Sequence, residues 1–455
     1  MTTTPDTGKV AARKGRDWLD EWDPEAADWD SGRAWKTLWV TTFSLTLAFI
    51  AWFLVSALAP VLNDIGFDLS KGQLYWLTAM PGLAGGLLRL VWTFLPPVIG
   101  TRKLVTLTTL LLLVPFIGWA LAVQNPDTPF EVLLLLGVFA GIGGGAFSGF
   151  MPSTSYFFPR SKQGTALGVQ AGIGNFGVSI VQLATPWIVG FMLLGGAFAT
   201  AIGAPQQVVN EAKGVSKEAF YQNAGYAWVP LVLVGAIASW LLLRSVPVKV
   251  ARKRDQFDIF RNKHTWLMTL LYVITFGTFS GFAAIFGLLI KDLYGSDVFG
   301  ADGISPLKYA FLGALVGSAA RVLAGPLADR FGGARVTLIA SAGIAISSVF
   351  TAFQLNPTSA DQFPVFLGGM LAIFLFAGVG NASTFKQMPV IFERRQAGGV
   401  IGFTSAIAAF GPFYFGIALA TFSPVPLFLA WASLAAVGVG VAWWFYARKG
   451  AEKPS

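Results

Sequence analysis

Twelve apolar stretches decide what this chain can fold into. They fall at about residues 37–62, 71–97, 103–123, 129–158, 163–190, 225–246, 265–291, 306–329, 334–354, 363–391, 397–420 and 424–446. Each is long enough to cross a hydrocarbon layer of about 30 Å as a helix. A backbone without water must close its own hydrogen bonds, so runs of this kind become helices. With 55% hydrophobic and only 12% charged residues, the chain has too few charges to cover a soluble surface. The expected class is an all-α membrane protein of twelve transmembrane helices. Its 52 glycines suit close helix approach. The absence of cysteine excludes disulfide and thiolate chemistry, and the polar N-terminus lacks the apolar region of a cleaved signal peptide.

The location of the +9 net charge gives the organisation. Basic residues crowd the N-terminal tail, the C-terminal tail and alternate connections, whereas Lys71, Lys213, Lys217, Lys291 and Lys308 are those on the opposite side. By the positive-inside rule both termini are expected in the cytoplasm. The expected domains are a tail (1–36), a six-helix bundle (37–246), a basic cytoplasmic linker (247–264), a second six-helix bundle (265–446) and a C-terminal tail (447–455). The tail holds many carboxylates with Trp18, Trp22 and Trp29, and is expected to lie near the membrane interface. The linker run from Lys249 to Lys263 reads as an orientation signal with lipid headgroup contact, not as a nucleic-acid site. The outer connection 191–224 either caps the mouth or hangs loose.

Three basic residues remain inside apolar runs: Arg89, Arg321 and Lys386. A cation near a bilayer centre costs roughly 2.5–3.5 kcal/mol on insertion scales, so such residues mark function. The two arginines recur within a weak internal repeat. Arg89 precedes Arg102 much as Arg321 precedes Arg335, Gly141–Phe147 answers Gly378–Thr384, and Lys162-Gln-Gly answers Gln396-Ala-Gly, all at nearly one offset. Two parallel halves would place both guanidiniums at the shared interface near the midplane. Acidic residues such as Asp64, Asp68, Asp127, Glu131, Asp292, Asp329 and Glu393 sit at span ends, so the deep cations are expected to lack carboxylate partners. Paired guanidinium donors match a planar oxyanion and keep their charge at any working pH. Arg89 and Arg321 therefore read as a small-anion site. The alternative has each satisfied by backbone carbonyls or snorkelling to an interface.

Lys386 either snorkels inward toward Arg394 and Arg395 or lines the pathway. Asn175 is a deep polar group suited to an anion oxygen or to an interhelical hydrogen bond. The glycine runs Gly141, Gly143, Gly144, Gly145 and Gly164, Gly168, Gly172, Gly174 do not follow a strand, so helix packing and not phosphate binding is their reading. His264, the single histidine, stands at the inner end of the seventh span. Without a deep carboxylate or histidine the usual proton relay is missing, which points to anion exchange. No nucleophile–base pair, metal-ligand cluster or cofactor motif stands out, so no catalytic site, metal or cofactor is expected.

The segment GPLADRFG at Gly325–Gly332, containing Asp329 and Arg330, resembles the loop motif of the major facilitator superfamily. Within it, GIGGGAFSGFMPSTSYFFP (141–159) and GVGNASTFKQMP (378–389, with Gly378, Gly380 and Asn381) resemble the paired signatures of the nitrate/nitrite porters. Ala382 departs from that pattern, standing where glycine is common. The resemblance implies that Arg89 and Arg321 bind the anion from opposite halves, that Phe147 and Tyr272 sandwich its flat face, and that Asn175 supplies a polar contact. It also implies a transporter of nitrate and nitrite in the bacterial inner membrane, from a family that contains both exchangers and proton–nitrate symporters; the missing proton relay favours exchange, and a monomer is expected. Proton-coupled nitrate symport, transport of other small organic anions and a non-transport membrane role are the alternatives.

Overall fold

The computed structural model describes residues 17–19, 21–190, 203–210, 214–247 and 258–455, with backbone alone at 209, 210, 215, 394 and 395. The expected linker falls largely outside the described residues, as do 1–16 of the tail and 191–202 of the long outer connection. Each of the twelve apolar stretches is helical. The first six helices are α1 (Ser31–Val61), α2 (Lys71–Trp92), α3 (Thr101–Ala122), α4 (Phe130–Ser155), α5 (Arg160–Ile188) and α6 (Asn223–Leu242). The second six are α7 (Lys263–Asp302), α8 (Pro306–Phe331), α9 (Gly333–Ala352), α10 (Ala360–Ile391), α11 (Gln396–Thr421) and α12 (Pro424–Ala447). Within the halves α4 packs on α1 and α2, and α10 packs on α8 and α9; the halves meet along α2 with α11 and α5 with α8.

The glycine runs explain this packing and carry the repeat into three dimensions. A Cβ on Gly141 would stand 2.4 Å from the Cβ of Ala84, and one on Gly143 would stand 1.9 Å from the carbonyl oxygen of Ala48. Helix α4 thus lies directly on α2 and α1. In the second half, a Cβ on Gly378 would meet the Gly317 carbonyl at 2.1 Å, and one on Gly380 the Thr275 side chain at 2.3 Å. Helix α10 therefore touches α8 and α7 as α4 touches α2 and α1.

Helix α1 begins at Ser31, ahead of the sequence estimate, because Asp30 caps it by accepting from the Arg33 amide at 2.9 Å. The tail before it docks on the protein. Trp22 and Trp29 donate from their indole nitrogens to the carbonyls of Tyr156 (3.2 Å) and Phe157 (2.9 Å) at the end of α4. Glu25 accepts from the Arg160 amide at 2.9 Å, capping α5, and Asp17 pairs with Arg102. This end of the bundle, basic by sequence, is called the inner end below. At the outer end β1 (Gln206–Asn210) and β2 (Val215–Ala219) form an antiparallel pair, with Gln206 opposite Ala219. The pair packs beside the Asn63–Ile65 turn, so the described part of this connection is built structure.

The Gly143 contact is with backbone, which cannot swing aside. Gly143→Ala is expected to destabilise the protein by about 1–3 kcal/mol through overpacking. A detergent melting curve unchanged from the parent would show that α1 and α4 are not held this closely.

Candidate anion-binding site

Arg89 lies on α2 and Arg321 on α8, and both are buried, at 0% and 5% exposure. Tyr272 of α7 lies beside both, and its buried hydroxyl, like Arg89 Nη2, has no hydrogen-bond partner among the described residues. Neither arginine has a carboxylate partner among the described residues.

The alternative raised for Arg89, satisfaction by backbone carbonyls, is met in part. Its Nε donates to the Gly144 carbonyl at 2.9 Å and its Nη1 to the Ser405 carbonyl at 2.8 Å, while Nη2 is buried without a hydrogen bond. Gly144 belongs to the glycine face of α4, where close approach brings the carbonyl within reach. Ser405 belongs to α11, so this arginine of the first half reaches into the second. Arg321 reaches the other way. With the Asn175 amide set so that oxygen meets donor, Arg321 Nη1 donates to Asn175 Oδ1 at 3.0 Å, and Asn175 Nδ2 donates to the Ala171 carbonyl at 3.3 Å. The interhelical bond raised for Asn175 is thus made to the second arginine itself.

Aromatic faces supply most of the remaining surroundings. The Arg89 Cζ lies 4.7 Å from the Phe147 ring centre, 5.1 Å from Phe276 and 5.2 Å from Trp52, and the Arg321 Cζ lies 5.8 Å from Phe385. Such contacts are worth roughly 0.5–2 kcal/mol each. Tyr272 stacks on Phe276, with ring centres 5.5 Å apart, and stands 6.2 Å from Phe385. A π-helical turn over Val273–Gly277 follows Tyr272 and carries Phe276; such turns often lie at functional sites.

Asn381, on α10, is fully buried, and both polar atoms of its amide lack partners. An unsatisfied buried amide of this kind costs about 1–3 kcal/mol. Lys386 corrects the sequence expectation. It pairs with Asp329 and donates to the Gly325 carbonyl at 3.1 Å, so this cation has a carboxylate partner and turns to the inner end. The pairing escaped the sequence because Asp329 stands at the inner end of α8, far from Lys386 along the chain. His264 sits two helical turns before Tyr272 and bonds Tyr446 at 3.0 Å and Glu452 at 3.2 Å. Lys263 also donates to Glu452 and, with His264, holds its carboxyl below the usual carboxylate range.

Trp52, Phe276, Phe385 and the Ser405 carbonyl were not singled out by sequence. Two of them carried a signal: Phe276 follows Tyr272 by one helical turn, and Phe385 lies inside the second glycine signature. The arrangement as a whole offers guanidinium donors from two halves, aromatic walls and an unsatisfied amide. That set suits a small, flat, singly charged oxyanion.

Comparisons with known proteins agree. Residues 41–416 match the family model described as the Major Facilitator Superfamily. The chain is 58% identical over 443 residues to a probable nitrate/nitrite antiporter, NarK2, of Thermus thermophilus, covering 96% of this chain and 98% of that one. It is 36% identical to the nitrate/nitrite transporter NarU of Escherichia coli strain K12, over 88% and 89% of the two chains. Among solved structures, the xylose transporter XylE of E. coli in an inward-open conformation shares the fold, with a TM-score of 0.63 at 14% identity over 90% and 95% of the chains. This chain therefore belongs to the major facilitator superfamily and, within it, to the family of the nitrate/nitrite transporters.

Proposed function

We propose that the chain exchanges nitrate for nitrite across the bacterial inner membrane by alternating access, with both termini in the cytoplasm. The observation that carries this reading is the pair of buried guanidiniums, one from each half, with a free Nη2 on Arg89 and no carboxylate beside either. Names of relatives that match nearly end to end support the choice of anions.

The mechanism follows from the bonds that cross the interface. Arg89 donates to the Ser405 carbonyl and Arg321 to Asn175, so each cation is shared with the opposite half. These neutral oxygens satisfy donors but leave the like charges facing each other. A monoanion between them offsets that repulsion, takes the spare donors, and packs its flat faces against Phe147 and Tyr272. Asn381 gains partners at the same moment. Closure over an occupied site is favoured relative to closure over an empty one, and that difference makes movement depend on exchange. Carboxylates within the described membrane segments lie toward the helix ends, which argues for anion exchange over proton coupling.

Arg89→Lys replaces a planar fork by a point charge. It is expected to lower nitrate/nitrite counterflow in proteoliposomes by about 100-fold, the loss of roughly 3 kcal/mol of charge-assisted hydrogen bonding. Counterflow at the parental rate would refute recognition by the fork. An imposed proton gradient should leave the parental counterflow unchanged, and acceleration by it would favour symport. Asn381→Leu removes the unsatisfied amide, so the anion-free protein should melt several degrees higher. The same variant should lose part of the stabilisation that nitrate gives the parent. A variant that melts lower without nitrate, yet is stabilised by nitrate as the parent is, would make Asn381 a packing residue.

A further inference from the structure

The polar contacts between the two halves are unevenly placed along the membrane axis. At the midplane there are the arginine bonds to Ser405 and Asn175. Outward of them, Gln182 of α5 donates to the Ala283 carbonyl of α7 at 2.8 Å and to Ser56 of α1 at 2.9 Å. At the outer end two ion pairs join the halves. Lys291 of α7 donates to Asp64 and to the Pro60 carbonyl of the first half, each at 2.8 Å. Asp292, the next residue of α7, accepts from the Tyr75 hydroxyl of α2 at 2.8 Å and pairs with Lys71 at 3.1 Å. At the inner end, the ion pairs among the described residues each stay within one half: Asp17 with Arg102, Glu25 with Arg160, Lys263 with Glu452 and Lys386 with Asp329.

Adjacent residues of opposite charge, Lys291 and Asp292, thus each meet a complementary partner on the other half. Lys291 is mostly buried, with its side chain 12% exposed, and Asp292 is at 16%. Their partners are more open, Asp64 at 34% and Lys71 at 58%, so each pair is sheltered on the α7 side and is screened less than a pair open on both sides. The packing agrees with the polar pattern. A Cβ on Gly287 would meet Pro60 at 2.9 Å at the outer end, whereas Gly164 and Gly168 of α5, Gly325 of α8 and Gly398 of α11 have open space around them at the inner end.

We infer that Asp64–Lys291 and Lys71–Asp292, with Tyr75, form a charge lock that holds the outer mouth shut and sets the balance between the inward- and outward-facing states. Opening to the outside requires α7 to withdraw from α1 and α2, which breaks both pairs together. The lock resides in side chains remote from the anion site, so it biases the conformational equilibrium without touching the substrate. This inference rests on the transport reading, but its principal test does not depend on which anion is carried.

The chain has no cysteine, so nitroxide labels can be placed on the exposed outer connections of the two halves through Asp127→Cys and Asp361→Cys alone. Distances between them are read by pulsed electron spin resonance without substrate. In this background Asp64→Ala with Asp292→Ala should raise the ratio of long to short distances about fivefold or more, the effect expected for two cross-half pairs. It should also tighten the apparent outside affinity for nitrate, because the competent state is more populated. The charge swap Asp64→Lys with Lys291→Asp should return the distances toward the parental distribution. Lys71→Gln, at an exposed position, should give a smaller shift in the same direction and serves if the double variant does not fold. An unchanged distribution in the double variant or, where that does not fold, in Lys71→Gln would overturn the lock. So would a charge swap that opens the mouth as far as the pair removal does. Shifted distances with no nitrate/nitrite counterflow in the parent would instead leave the lock standing and refute the assigned substrates.

Discussion

Two guanidinium charges held out of water, with no carboxylate partner among the described residues, are the constraint around which this structure is arranged. Burying a charge costs several kcal/mol even after relaxation, and like charges nearby add to it. The protein offsets part of that cost with carbonyl oxygens and ring faces. Both are deliberate in their limits. A carboxylate would neutralise the arginines outright, but it would also occupy the donors and repel an incoming anion. Carbonyls and aromatic quadrupoles stabilise the cations while leaving net positive charge behind. The glycine face of α4 belongs to the same solution, because only backbone brought into contact with α2 puts the Gly144 carbonyl at 2.9 Å from Arg89 Nε.

The same side chains also register the separation of the halves. Arg89 is anchored in the first half through Gly144 and in the second through Ser405, and Arg321 bridges the interface through Asn175. A shift of α11 against α2, or of α8 against α5, must lengthen these bonds. On the proposed reading, binding and movement are coupled through groups that take part in both, with no relay between distant sites. The π-helical turn after Tyr272 places that coupling on α7 as well, since Tyr272 and Phe276 flank the site while the outer end of the same helix carries Lys291 and Asp292.

Much of this was legible in the sequence, and what was hidden was hidden for definite reasons. Apolar length determined the helices, and the repeat of Arg89 and Arg321 was visible because a cation inside an apolar run has few innocent explanations. Asn175 stood out as a deep polar group, Phe147 and Tyr272 came from the resemblance, and the structure brings all three to the arginines. Phe276, Phe385 and Trp52 were masked by abundance, since a chain with 40 phenylalanines and 16 tryptophans gives no single ring away. The Ser405 carbonyl carries no side-chain signature at all. Lys386 was misread as lacking a carboxylate because Asp329, at the inner end of α8, is distant in sequence. The tail was expected near the membrane interface, and its docking through the indole nitrogens of Trp22 and Trp29 on the carbonyls of Tyr156 and Phe157 had no sequence signal, since backbone acceptors carry none.

The uneven distribution of cross-half contacts gives the glycine pattern a second meaning. In α4 and α10 the signature glycines at 141, 143, 378 and 380 are filled contacts, and a Cβ on Gly143 or Gly378 would collide with backbone. On the inner parts of α5, α8 and α11 the glycines at 164, 168, 325 and 398 meet nothing within 4 Å. Static packing explains the first group but not the second, since alanine would fit there and would favour the helix by about 1 kcal/mol. Alternating access supplies the missing term. A state in which the inner mouth closes must bring those faces together, and small residues there let the backbones approach as closely as α4 approaches α2. Two kinds of glycine then correspond to two demands: permanent contacts that make each half rigid, and vacant ones that allow rigid halves to meet.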